Sequence, residues 1–234
     1  MMPTQEFLDS IKGEGILLEN QELEKLILFL DCLYEKNKQI NLTSITDPEE
    51  AWMRHCYDSL TLFPYLNEIN PNKVIDLGSG GGFPGIPLAI TQPSVHFTLL
   101  ESTQKKANFL KEVSNKLDLK NIKIVSDRAE NVGSKSKFLR SNFDVVVARA
   151  VSSLPVLLEL SIPLLKVGGF LVAIKGKKYL EEIKNSTKAL KVLKSNVTIT
   201  ARTKTGSIIV VEKIAEIPAK YPRRSGEPKR DPIS

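Results

Sequence analysis

The sequence predicts an α/β fold: a mostly parallel, twisted, doubly wound sheet with helices on both faces and an antiparallel hairpin at its C-terminal end. Three observations carry this. From residue 73 short apolar runs alternate with helix-spaced segments, the first run opens into a glycine-dense turn, and the last two runs are separated by too few residues for a crossover helix.

Taken in order, Leu23, Leu26, Ile27, Leu30 and Tyr34 recur at helical spacing, so residues 20–36 read as an amphipathic helix. Asn41-Leu42-Thr43 with Asp47-Pro48 forms a turn and a helix start, and a second helical stretch runs from about Glu49 to Leu62. Strands are expected at residues 74–77, 95–100, 122–125, 143–148 and 170–174. Between them, Ala107, Leu110, Val113 and Leu117 mark one helix, and Leu154, Leu157, Leu158, Ile162 and Leu165 mark another. Residues 197–201 and 207–211, joined by Thr203-Lys204-Thr205-Gly206, make the hairpin. Residues 218–234 hold four prolines and little that is apolar, so they read as an irregular tail. The expected organisation is a helical extension (1–70), an α/β core (71–214) and a basic tail (215–234).

Composition narrows the function class. Apolar residues at 41% and charged residues at 26% are ordinary for a soluble globular chain, and 234 residues suffice for one domain with extensions. No apolar run reaches the length of a membrane span and no signal peptide opens the chain, so a cytoplasmic location is expected. Cys32 and Cys56 with His55 and His96 give no spacing for a zinc site or a disulfide framework, so no metal is expected. The net charge of +6 is uneven: residues 1–31 carry seven acids against two lysines, a net of −5, leaving +11 on residues 32–234. A basic body suits a polyanionic partner.

The most informative stretch is Val74-Ile75-Asp76-Leu77-Gly78-Ser79-Gly80-Gly81-Gly82-Phe83-Pro84-Gly85. It leaves a strand, passes through glycines that let a ligand approach the backbone, and enters a helix, as in Rossmann-like folds. Gly80, Gly82 and Gly85 satisfy G-x-G-x-x-G, so a dinucleotide is one candidate ligand. Asp76 favours another: a carboxylate at the strand end suits the cationic amino-acid portion of S-adenosylmethionine and would repel a pyrophosphate. Glu101 ends the second strand, where a carboxylate accepts ribose hydroxyls of either cofactor. Asp127-Arg128-Ala129-Glu130 follows the third strand, and Arg149 closes the fourth at the carboxyl edge of the sheet.

The ordered set of motifs resembles the bacterial 16S ribosomal RNA guanine-N7 methyltransferases, the RsmG or GidB family. It comprises Asn41-Leu42-Thr43, Arg54-His55 with Asp58-Ser59, the glycine loop through Ile86, Glu101-Ser102 with Lys105-Lys106 and Phe109-Leu110, Arg149-Ala150, Lys175-Gly176 and Tyr221-Pro222-Arg223-Arg224 with Gly226 and Pro228. The resemblance implies a Rossmann-like class I methyltransferase with S-adenosylmethionine contacted by Gly78, Phe83, Ala129, Glu130 and Arg149, and with Asp76, Gly80 and Glu101 in the same site. It also implies 16S ribosomal RNA or the small ribosomal subunit as partner, with N7 of guanine 527 as target. Arg54, His55, Lys175, Arg202, Arg223 and Arg224 are the candidate RNA contacts, and Tyr57 or Phe83 could stack on a base.

The absences fit that chemistry. There is no Asn/Asp-Pro-Pro-aromatic motif after the fourth strand for methylating an exocyclic amine, and both cysteines precede the core, away from the place a carbon-methylating nucleophile needs. Guanine N7 offers an in-plane lone pair, so no catalytic acid or base is expected and positioning does the work. The competing readings are a methyltransferase for another RNA or a small molecule, an NAD-binding oxidoreductase, and a non-catalytic nucleic-acid-binding module.

Overall fold

The computed structural model describes residues 1–134 and 139–233. Among the described residues five α-helices precede the sheet, the first three being α1 (Gln5–Gly13), α2 (Asn20–Asn37) and α3 (Pro48–Ala51). Thr4 caps α1 by accepting from the Phe7 N–H, and Glu19 with Glu22 closes a capping box on α2. The α3 helix starts on the Asp47 carboxylate and runs on through a π-helical segment (Trp52–Tyr57) into α4 (Asp58–Leu60). The wide turn therefore falls on Arg54, His55 and their neighbours, where the sequence had promised a regular helix through Leu62. After α5 (Phe63–Ile69) the chain turns through Asn70 in the left-handed region and enters the sheet.

The core alternates as predicted: β1 (Lys73–Leu77), α6 (Gly85–Thr91), β2 (His96–Leu100), α7 (Gln104–Lys116), β3 (Ile122–Val125), α8 (Ala129–Val132), β4 (Phe143–Arg149), α9 (Leu154–Ser161) and β5 (Leu165–Lys175). Two short helices, α10 (Tyr179–Lys184) and α11 (Thr187–Val192), lead into the hairpin β6 (Ser195–Arg202) and β7 (Ser207–Lys213). The sheet order is β3-β2-β1-β4-β5-β7-β6, parallel except that β7 runs antiparallel to both of its neighbours. The strand order reverses between β1 and β4, so a crevice opens there at the carboxyl edge.

Each face of the sheet has its own core. The N-terminal helices pack with α6 and α7 on one face, where Phe29, Leu33 and Trp52 join Val74, Phe97 and Val145 in a single cluster. The extension therefore shares its core with the sheet. On the other face α9 and α11 bury Leu154, Leu158 and Ala189 against Ile75, Val146 and Leu171. The C-terminal segment joins this second cluster: Ile217, Tyr221 and Ile233 are buried in it, and α12 (Glu227–Arg230) adds a turn of helix with Pro228 buried. The expectation of a merely irregular tail is corrected here, because four apolar residues spaced among charges are enough to dock it.

Among the described residues no helix is long and apolar enough to cross a membrane.

Candidate functional site

The Gly-rich turn is built by hydrogen bonds that leave its backbone bare toward the crevice. The N–H groups of Gly78 and Ser79 both donate to the Leu100 carbonyl, at 2.9 and 3.1 Å, which ties the end of β1 to the end of β2. Gly80 N–H donates to Glu101 Oε2 at 2.9 Å, and Thr103 N–H donates to Glu101 Oε1 at 2.7 Å. Gly78 sits at φ +72°, where an L side chain is strained, and a Cβ there would lie 3.2 Å from Val151 Cγ2.

Over this turn lies a cleft of about 700 Å³ lined by Gly78, Gly80, Phe83, Glu101 and Arg149, with Arg54, His55 and Asp58 on one wall and Lys175 on another. Gly78 and Val151 also line a second hollow of about 290 Å³, which Leu77, Leu100, Ala129 and Glu130 continue. The two hollows meet at Gly78. A nucleotide-bearing ligand with polar groups at both ends fits such a pair: bare backbone at the junction, a carboxylate beside it, and an apolar slot beyond.

Asp76 has a different place from the one its sequence position suggested. It lies fully buried beneath the turn and lines neither hollow; its Oδ2 accepts from the Gly85 N–H at 3.0 Å and its Oδ1 has no protein partner. A Cβ on Gly85 would come within 2.6 Å of that same Oδ2, so the glycine is what lets the carboxylate reach the backbone. β1 is central, covered on both faces, and its carboxylate braces the turn from inside. Burial pushes the Asp76 carboxyl up to about 7. The unfolded chain releases this proton near 3.8 while the folded chain keeps it to about 7, so Asp76 lowers stability progressively as pH rises through that window. The slope is up to ~1.4 kcal/mol per pH unit. Asp76→Asn is therefore expected to gain stability relative to the natural sequence between about pH 4 and pH 7 and to hold a constant margin above. Urea unfolding of both chains across that range measures the difference, and a margin that does not change with pH would show the prediction to be mistaken.

A compact aromatic and cationic cluster forms the opposite wall. The His55 ring stacks on Phe83 with centroids 4.3 Å apart, Phe29 of α2 tilts against Phe83 at 5.0 Å, and the Arg149 guanidinium lies 4.9 Å from the Phe83 centroid. Burial, with Arg149 alongside, pushes His55 down to about 3, so the imidazole is neutral. Arg149 NH2 donates to His55 Nδ1 at 3.1 Å, which leaves the proton on Nε2 to be donated to Thr43 Oγ1 at 2.9 Å. Arg149 NH1 donates to the Arg54 carbonyl and stands 4.0 Å from Asp58 Oδ2, while Thr205 Oγ1 donates to Asp58 Oδ1. Burial raises Asp58 and lowers Arg149. One arginine thus locks β4, the π-helical segment and the glycine turn together.

The structure therefore brings Gly78, Gly80, Phe83, Glu101 and Arg149 into the first cleft and Ala129 and Glu130 into the second. Of the candidate RNA contacts, Arg54, Arg202 and Arg224 are exposed. The other three are engaged internally. His55 is only 3% exposed. Lys175 Nζ donates to the Ser152 carbonyl at 2.6 Å and to Glu182 at 2.7 Å. Arg223 pairs with the fully buried Glu159 at 2.7 Å. Tyr57 is also a core residue, its hydroxyl donating to Glu14 Oε1 at 2.8 Å. Thr43, Asp58 and Val151 were missed as site residues; the first two appear in the sequence only as parts of recurring motifs, and Val151 had no chemical signal at all. Cys56 is buried and stays protonated, since burial raises its thiol.

A family model described as rRNA small subunit methyltransferase G matches residues 22–209. The ribosomal RNA small subunit methyltransferase G of Bacillus cereus (strain B4264) is 39% identical over 238 residues, covering 99% of each chain. Its counterpart in Acetivibrio thermocellus is 40% identical over 233 residues, covering 97% of this chain and 95% of the relative. Among solved structures, the O-methyltransferase TomG from Streptomyces achromogenes, in complex with S-adenosylmethionine, superposes with a TM-score of 0.60 at 13% identity, covering 92% of this chain and 100% of that one. An O-methyltransferase from Bacillus cereus in complex with S-adenosylhomocysteine gives 0.57 at 14%, covering 88% and 96%. At such identities these likenesses speak to the fold alone.

Proposed function

The chain belongs to the rRNA small subunit methyltransferase G family, and we propose on that premise that it transfers a methyl group from S-adenosylmethionine to N7 of a guanine in 16S ribosomal RNA, at the position equivalent to nucleotide 527. It is an S-adenosylmethionine-dependent RNA methyltransferase, and the partner is the RNA itself or the small subunit that contains it. Such a substrate puts its work in the bacterial cytoplasm.

The observation that carries the cofactor reading is the sheet order with its antiparallel β7. The usual dinucleotide-binding sheet is mostly parallel and built from two mononucleotide-binding halves in the order 3-2-1-4-5-6, with no strand inserted between the fifth and the sixth. Here the hairpin replaces the last crossover, and the G-x-G-x-x-G match is the shared turn of both ligand classes. The residues present also fit the cofactor. Gly78 gives the close backbone approach, Glu101 faces the cleft with lone pairs to spare for ribose hydroxyls, and the hollow at Ala129 and Glu130 offers an apolar slot for a base.

When bound, the cofactor supplies an electrophilic methyl group on a sulfonium. The protein's task is then geometric. N7 attacks with its own lone pair and loses no proton on doing so, which agrees with a cleft whose histidine is neutral and occupied at both nitrogens. Phe83, clamped by His55, Phe29 and Arg149, gives the cleft a rigid floor. Arg54, Arg202 and Arg224 remain outside to meet phosphates, with Lys177, Lys178 and Lys204 also exposed on the surface.

Incubating the purified chain with S-adenosylmethionine and small subunits or 16S RNA from a strain lacking this activity, then mapping N7-methylguanine by borohydride and aniline cleavage, tests the proposal. One new cleavage at the position equivalent to 527 is expected. Methylation elsewhere, or saturable binding of NAD in place of S-adenosylmethionine, would overturn it.

A further inference from the structure

We infer that the C-terminal segment from Tyr221 to Ile233 is a wall of the cofactor site that closes over the base end of S-adenosylmethionine, so that cofactor affinity depends on the tail being docked. The inference rests on the cofactor reading above. It goes past it, because the cofactor reading names no residue of this segment.

The second hollow has two sides. The ends of β1 and β2 with the start of α8 contribute Leu77, Leu100 and Ala129, the segment from the end of β4 into α9 contributes Val151, Val156 and Leu160, and the tail closes the remaining side with Gly226, Pro228 and Lys229. Pro228 is buried, and its ring adds apolar surface to the lining of the hollow. A flat heteroaromatic base needs two apolar faces and a polar edge. Without the tail the slot loses the side that Gly226, Pro228 and Lys229 close.

The tail is held in that place by specific bonds. Gly226 N–H donates to Glu130 Oε1 at 2.9 Å, fastening the tail to the loop after β3. Arg223 makes a double clasp: its Nε donates to Glu159 Oε1 at 2.9 Å, its NH2 donates to Glu159 Oε2 at 2.7 Å, and its backbone N–H donates to Oε1 at 2.9 Å. Glu159 is fully buried within α9, so an unpaired carboxylate there would be costly and the clasp is not a surface accident. The same guanidinium donates to the Asp231 carbonyl at 2.7 Å, and Arg140 donates to the Tyr221 carbonyl at 2.6 Å. Tyr221 and Ile233 anchor the two ends in the core. Four basic residues make the segment look like an RNA contact, yet Arg223 is spent on Glu159, and the buried Pro228 lines the slot.

The test compares S-adenosylhomocysteine binding by calorimetry in the natural chain, in a chain lacking residues 226–234, and in Gly226→Pro, which removes the N–H given to Glu130 and is incompatible with φ +84° at that position. Binding is expected to weaken at least tenfold in the truncated chain and several-fold in Gly226→Pro. In the natural chain, S-adenosylhomocysteine is expected to slow amide exchange of Arg230 and Asp231, whose N–H groups close the α12 turn. If the truncated chain fails to fold, the exchange measurement decides. Unchanged affinity in the variants, unprotected amides, or a loss confined to 16S RNA binding would each overturn the inference while leaving the cofactor reading intact. A natural chain that does not bind S-adenosylhomocysteine would overturn the cofactor reading itself.

Discussion

Gly78→Asp is expected to lose S-adenosylhomocysteine binding by at least a hundredfold, about 2.7 kcal/mol. Gly78 is the point where the two hollows join, so a side chain there plugs the passage that a ligand spanning both must use. The clash is local: the Cβ would sit 3.2 Å from Val151 Cγ2, and the carboxylate beyond it has no donor reserved for it among the bonds of the turn. The strain of a side chain at φ +72° adds about 1–2 kcal/mol of destabilisation, at the low end for Asp, which tolerates the left-handed region better than most residues. The fold should therefore survive, with a modest fall in melting temperature and a large fall in affinity. Gly78→Ala separates the two causes. It carries the strain and the Val151 contact without the bulk or charge, so its affinity should fall between the natural chain and the Asp chain. Calorimetric titration of the three chains, alongside thermal unfolding, makes the comparison; an Asp chain that binds within threefold of the natural one would mean that the ligand does not cross this glycine.

How far such a site can be read from sequence depends on what kind of signal each part leaves. That Gly78, Glu101 and Arg149 line a cleft was legible because they sit at or just past strand ends, and in a doubly wound sheet that edge is where ligands bind, whereas Phe83 was named only through the family resemblance. The strands were legible for the same reason that they are buried: β1, β2 and β4 lie inside the sheet and read as short apolar runs. Asp76 was misjudged because a carboxylate two residues before a glycine turn carries no mark of which side it faces; its true partner, the Gly85 N–H, is set by the tertiary path of the loop. His55 and Lys175 carried a charge type that suggests RNA, and only packing reveals that each is consumed by a neighbour. The helix α1 and the docked tail were missed because their apolar residues are diluted by acids in one case and by bases and prolines in the other, so composition outweighed periodicity. The π-helical turn was invisible since the 3.6-residue pattern barely changes over one wide turn.

Arg149→Ala should cost activity well beyond its effect on cofactor affinity: kcat/KM for RNA methylation falls about a hundredfold or more, the loss expected when reacting groups are misplaced by about an ångström. The reason is the number of elements this side chain joins. Its two terminal nitrogens serve different acceptors, the Arg54 carbonyl and His55 Nδ1, and its charge faces Asp58. Truncation takes a donor from the Arg54 carbonyl and from His55 Nδ1, leaves Asp58 with Thr205 but without its facing charge, and frees Phe83 from one of its neighbours. Lysine should not repair the damage. A single ammonium cannot hold two acceptors in the plane of a guanidinium fork, so Arg149→Lys is expected to stay within tenfold of Arg149→Ala. His55 provides a readout that mere destabilisation would not move. Burial is the larger cause of its low value and Arg149 the second, so without the arginine its titration should shift upward from about 3 while remaining below 6.5, because burial persists. Proton NMR of the imidazole follows this directly. An Arg149→Lys chain with natural activity, or an Arg149→Ala chain whose His55 titrates as before, would show that the wall is held by something other than this arginine.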